Sequence, residues 1–167
     1  MKLTVSPSSD YLRENVFPGY EHEEWVKKRA LALETRAILE GKVKIVNLDN
    51  GGFLTWWIGP GRVHNWDPEK NVYNIVGPST VKHTLTHQSD IGRAVAQVSV
   101  LALDPATSAT VPAEIRIAGN VVNYEDMRDI VSRVKGIPKG EIISKDVAAV
   151  KDALKKNPSS NILDYVV

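Results

Sequence analysis

The stretch Val43-Lys44-Ile45-Val46-Asn47-Leu48-Asp49 constrains the fold more than any other part of this chain. It is nearly continuous in apolar, largely β-branched residues, and it follows Gly41, which supplies the stop for a long helical pattern. Apolar residues without strict alternation mark a strand buried on both faces, as the strands of parallel sheets are.

The remaining pattern supports the same class. Residues 2–6 read as a short strand that meets Pro7 and runs into a long loop, PSSDYLRENVFPGYEHE, of the kind that is often functional in compact domains. From about Glu23 to Glu40 the chain is helical, with Val26, Ala30, Leu33 and Ala37 forming one narrow apolar stripe. Residues 71–77 and 81–86 read as strands. A helix follows in which Ile91, Ala94, Val95, Val98 and Ala102 share a face, capped by Thr86 or Ser89. Residues 113–119 alternate as a strand, and Asn123 caps a helix carrying Tyr124, Met127, Ile130, Val131 and Val134. Gly136 and Pro138 end it. Residues 141–144 and a helix over 145–156, with Val147, Val150 and Leu154 inward, repeat the unit. Alternating strands and helices define an α/β chain. Its 167 residues, 43% hydrophobic, allow one core and leave a second cramped, so one domain is expected.

The charge balance excludes several classes of partner. Twenty-one basic and 20 acidic side chains, scattered along the sequence, leave a net charge of +1 and no long-range field to gather phosphate backbones or anionic lipid. Neither nucleic acid nor membrane is expected as a partner. No run approaches the roughly 20 apolar residues of a membrane span, and Met1 to Val5 leads into Pro7 rather than a signal core, so the chain reads as soluble and cytoplasmic. The sequence has no cysteine, which removes thiolate nucleophiles and thiolate zinc sites. Chemistry falls to Lys, His, Tyr, Ser or a carboxylate.

Motifs narrow it further. No G-x-G-x-x-G occurs, since Gly51, Gly52, Gly59 and Gly61 do not have that spacing, and no Tyr-x-x-x-Lys pair exists. His83 and His87 would face one metal from a helix, but Thr84-Leu85-Thr86 favours a strand, which holds them about 13 Å apart, and no third ligand lies near. No metal is expected. Lys27 and Lys28 stand near the long loop, where a desolvated lysine donates a proton to a carbonyl or holds a ribose. Spacing alone favours a solvated face, because Glu23 with Lys27 and Glu24 with Lys28 are i, i+4 pairs.

Asp49-Asn50-Gly51-Gly52 has two readings. As a hairpin turn, which the pattern slightly favours, it makes Phe53 to Ile58 a returning strand. As the loop at the carboxyl end of a parallel strand, it makes Asn50 and Phe53 site residues. Trp56, Trp57 and Trp66 with Phe53 either line an apolar pocket or pack as core and rim aromatics.

In order and spacing, SPSSDY, EEWVKKRALALETRAILEG, VKIVNLDNGGF, HTLTHQSDIGRAVAQVSV and IRIAGNVVNYEDMRDIVSRVKG resemble the central and C-terminal part of the NmrA-like and isoflavone-reductase-like proteins, which are atypical short-chain dehydrogenase/reductases. The resemblance runs over roughly residues 2 to 165. It implies a single partial domain over 1–167: the C-terminal part of a Rossmann-like domain with a small α+β substrate-binding portion, the N-terminal dinucleotide-binding half preceding Lys2. It implies that Pro7, Ser8, Asn50 and Phe53 face an NADP cofactor, that Lys28 serves the nicotinamide and the substrate carbonyl, and that Trp56 and Trp57 shape the pocket for a small substrate. A protein-interaction or redox-sensing role without catalysis is the alternative, with an uncovered sheet edge favouring oligomers. The resemblance also reads Gly92, in the opening turn of a helix, as a residue pressed against a neighbouring backbone.

Overall fold

The structure, a computed structural model, describes residues 3–7, 23–58 and 66–159. In chain order its elements are β1 (Leu3–Pro7), α1 (Glu23–Leu39), β2 (Lys44–Asp49), β3 (Gly52–Phe53), α2 (Leu54–Ile58), β4 (Trp66–Asp67), β5 (Val72–Val76) and β6 (His83–Thr86). There follow α3 (Gln88–Leu103), a 3₁₀ turn (Ser108–Thr110), β7 (Glu114–Arg116), β8 (Asn120–Val122), α4 (Tyr124–Lys135), β9 (Glu141–Lys145) and α5 (Val147–Lys156). They divide into two compact units, Met1–Gly51 with Thr86–Gly119, and Gly52–Leu85 with Asn120–Val167. The apolar interior is accordingly split between two clusters rather than gathered in the one core that the length suggests.

The first unit is built on a parallel sheet in the order β1-β2-β7, with Pro7 opposite Leu48 and Leu48 opposite Ile115. Val46, Asn47 and Leu48 are all buried. Successive strand residues point to opposite faces, so three in a row require cover on both. Val46, Ala102 and Val111 form the core, with Val98 and Ile115 packed on it. The face of α3 expected to turn inward does so, but its cap is His87, whose Nδ1 accepts from the Ser89 amide at 3.2 Å. Thr86, one residue earlier, instead accepts from the Gly119 amide. At the start of β2 the Lys44 ammonium donates to the carbonyls of Ser108 and Val111, tying the strand to the 3₁₀ turn.

Two expectations are corrected in this unit. The stripe assigned to α1 is exposed, with Val26 at 44% and Leu33 at 55%; the half-buried face carries Arg29, Ala32, Arg36 and Leu39 instead. Arginine stems cover apolar surface while their heads stay wet, which a search for apolar residues does not register. The Arg36 head reaches Glu114 of β7 at 3.6 Å. Gly92 is the second correction: it is exposed, and a Cβ placed on it would meet nothing within 4 Å. No neighbouring backbone requires a glycine there.

The second unit holds two three-stranded sheets, β3-β6-β8 and β4-β5-β9. His83 of β6 pairs antiparallel with Val122 of β8, Trp66 of β4 antiparallel with Tyr73 of β5, and Tyr73 parallel with Ile142 of β9. Tyr73, Ile75, Leu85, Val122, Tyr124 and Met127 make the core. Helix α4 begins as expected: Asn123 Oδ1 accepts from the Asp126 amide at 2.8 Å, and the Asp126 carboxylate accepts from the Asn123 amide at 3.0 Å. Its apolar face is narrower than the sequence pattern implies, since Val134 is 77% exposed. The half-buried Arg128 takes part of that face.

The hairpin reading of residues 48–57 fails. Both edges of β2 are filled by parallel partners, so no edge is left for a returning strand. The chain bends at Gly51 (φ 63°), contributes Gly52 and Phe53 to the other unit's sheet, and becomes helical at Leu54.

Candidate functional site

The carboxyl end of the parallel sheet gathers the most consequential polar group in the first unit. Pro7 closes β1 opposite Leu48, two residues before Asn50, so the ends of these strands share one rim. Asn50 is 2% exposed. Its Nδ2 donates to the Gly51 carbonyl at 2.8 Å, which fixes the amide, whereas its Oδ1 makes no hydrogen bond among the described residues. A buried acceptor left unpaired costs about 1–3 kcal/mol, and a polar group in that state calls for an explanation such as an absent ligand.

The backbone holds Asn50 firmly. Thr86, also 2% exposed, donates its hydroxyl to the Asn50 carbonyl at 2.7 Å and accepts from the Gly119 amide at 3.3 Å. One hydroxyl thus fastens the segments that leave β2, β6 and β7. Sequence reasoning read Thr86 only as a helix cap; its position at the end of an apolar strand was the available signal. Asp49 lies 3.8 Å from Arg116 across the adjoining strand.

Lys28 stands exposed on α1, and its neighbour Lys27 pairs with Glu23 at 3.0 Å, the solvated arrangement that spacing implied for that pair. Ser8 lies outside the described residues.

In the second unit the aromatics separate into packing and surface groups. Trp57 is packed against the core; a Cβ on Gly52 would come within 2.4 Å of its indole nitrogen. Its ring lies 4.5 Å from His83 and 6.0 Å from Tyr124. Burial lowers the His83 pKa from its ordinary 6.5, holding the imidazole neutral at pH 7, and pushes the Tyr124 phenol up to about 12. Trp66 stacks on Tyr73. Phe53 meets Trp56 edge to face at 5.0 Å, and Trp56 is 55% exposed. The structure thus brings Pro7 and Asn50 together on one rim, and Phe53, Trp56 and Trp57 together on β3 and α2 of the other unit. Among the described residues no group of three or more His, Cys, Asp or Glu side chains could hold a metal, and no helix is long and apolar enough to cross a membrane.

A parallel sheet with helical crossovers, accompanied by a smaller α+β unit, defines a Rossmann-like α/β fold in part. Solved structures agree. The chain is similar to an isoflavone reductase (17% identity, TM-score 0.61), covering 86% of this chain and 45% of that one. It is similar to a UDP-glucuronic acid 4-epimerase from Bacillus cereus in complex with NAD (16%, TM-score 0.57), covering 97% of this chain and 56% of the other. An NAD-dependent NDP-hexosamine 5,6-dehydratase of tunicamycin biosynthesis is a further likeness (16%, TM-score 0.52; 86% and 50% covered). The chain spans about half the length of these structures. No protein-family model matches the sequence, and no curated protein gives a match.

Proposed function

We propose that this chain belongs to an NmrA-like or isoflavone-reductase-like protein that uses a nicotinamide dinucleotide, NADPH in the first instance, to reduce a small organic substrate. The buried, unpaired Asn50 acceptor carries the reading, because open α/β sheets bind their ligands at the carboxyl ends of their strands. It fits a ligand group that donates a hydrogen bond. The dinucleotide, when bound, supplies hydride.

Under this reading the chain's own residues bind and orient. Pro7, Ser8 and Asn50 hold the nicotinamide end; the family resemblance is what adds Phe53 to that role and assigns Trp56 and Trp57 to the substrate side. Lys28 presents an ammonium, which carries the proton that a reduced carbonyl must gain. The sequence contains no G-x-G-x-x-G loop, so a grip on the diphosphate is not among the residues on which the reading rests. Titration with NADPH and NADH, followed through quenching of the four tryptophans, tests it. Saturable quenching is expected, weaker in Asn50→Ala of unchanged circular dichroism. Absence of saturation at millimolar dinucleotide overturns it.

A second reading, a non-catalytic interaction module, is favoured by β1, which has a strand neighbour on one side only among the described residues. It predicts a homo-oligomer in size-exclusion chromatography with light scattering. A well-behaved monomer counts against it.

A further inference from the structure

In the second unit, the β4-β5 ribbon and α4 assemble a polar group that the reductase reading does not use. Trp66 and Tyr73 face each other in register on the two strands, and their rings stack at 5.8 Å and 15°. Tyr73 is 4% exposed. Its hydroxyl and the Trp66 indole nitrogen are both buried, and neither makes a hydrogen bond among the described residues. An indole N–H only donates, and a phenol donates readily. Two buried donors on one stacked ring pair are therefore without an acceptor among the described residues.

Two cations stand beside them. Lys135, in the last turn of α4, holds its ammonium 4.9 Å from the centre of the Trp66 ring. Arg128 lies two turns earlier on the same helix face, close enough to Tyr73 to act on its phenol, whose pKa burial raises and the guanidinium lowers. Asp129, beside Arg128, is shared: its carboxylate accepts from Arg128 at 3.1 Å and from Lys139 at 2.7 Å, while Asp67, next to Trp66, pairs with Lys70 at 3.4 Å. Arg128 and Lys139 thus share one carboxylate.

We propose that Trp66, Tyr73, Lys135 and Arg128 form a binding site for an oxyanion, the carboxylate or phosphate group of a ligand. Such a group offers several acceptor oxygens to two acceptor-less donors and two cations, the complement of what the protein supplies. Lys135 is exposed. Its ammonium rides on a flexible four-carbon stem, so it can leave the ring face and follow the anion without moving the backbone.

The indole N–H resonances of the ¹⁵N-labelled chain provide the test, with Trp66 assigned through Trp66→Phe. Inorganic phosphate should shift the Trp66 resonance downfield and saturate in the millimolar range, while the other three tryptophans stay in place. Lys135→Met should weaken binding at least fivefold, and Tyr73→Phe, which removes one oxygen, at least threefold. Acetate at matched ionic strength distinguishes the sources: saturation by both anions identifies carboxylate-type recognition, and saturation by phosphate alone identifies a phosphate site. The proposal is overturned if neither anion moves Trp66, if all four resonances drift with ionic strength, or if Lys135→Met saturates as the parent does. None of these readouts involves the dinucleotide, so the outcome is independent of the reductase reading.

Discussion

Gly92→Ala should stabilise the protein. Gly92 is the fifth residue of α3, a helix of 16 residues, and stands on its exposed side; a methyl group added there meets nothing within 4 Å. Nothing in packing opposes the change, so the effect reduces to helix propensity, about 1 kcal/mol in favour of alanine. That is about a fivefold shift in the unfolding equilibrium. Urea unfolding followed by circular dichroism at 222 nm reads it directly. With a slope of roughly 1–3 kcal/mol/M, the midpoint should rise by about 0.3–1 M at unchanged slope. Thermal unfolding should move upward by roughly 2–4 °C. Gly92→Val provides a graded check, because valine forfeits much of alanine's propensity gain and should fall between the two. If alanine lowers the midpoint and valine lowers it more, a backbone does press on this position, and the close-packing role implied by family resemblance is restored.

Two further outcomes follow from hydrogen bonding and burial. Thr86→Val keeps the shape of a fully buried side chain but strips the Asn50 carbonyl and the Gly119 amide of their shared partner, so stability should fall by about 1–3 kcal/mol in urea unfolding; an unchanged midpoint removes Thr86 from its fastening role. His83 is held neutral in the fold, its pKa below the ordinary 6.5. Its contribution is therefore complete above that value and is lost as pH falls through 6.5 toward the lower folded pKa. Between pH 7.5 and 5 the urea midpoint should drop more for the parent than for His83→Phe, and equal drops refute the assignment. Asp67 and Asp129, whose pKa values are lowered from 3.8, act in a separate and more acidic window.

What could be read from the sequence was what local pattern determines. Val43 to Asp49 announced a doubly covered strand, since an apolar run depends on no distant partner. Asn123, with an acid three residues on, announced a capped helix start for the same reason. The errors arose where distant segments compete. Asp49 to Gly52 carries a genuine turn signal, yet the edges of β2 are taken by β1 and by β7, which lies more than 60 residues further along. The two-residue strand Trp66–Asp67 is visible only beside Tyr73 and Val72. The site divides similarly. Asn50 stood out only under the parallel-strand reading of its segment; the orientation of its amide depends on a bond to its own neighbour's carbonyl, and Thr86 acts across 36 residues.

The polypeptide passes between its two units at three peptide bonds, 51–52, 85–86 and 119–120. Neither unit is therefore a contiguous stretch of gene. A recombination break at 51–52 would split the first unit, one at 119–120 the second, and one at 85–86 both, so neither can be borrowed, swapped or expressed alone by a single cut.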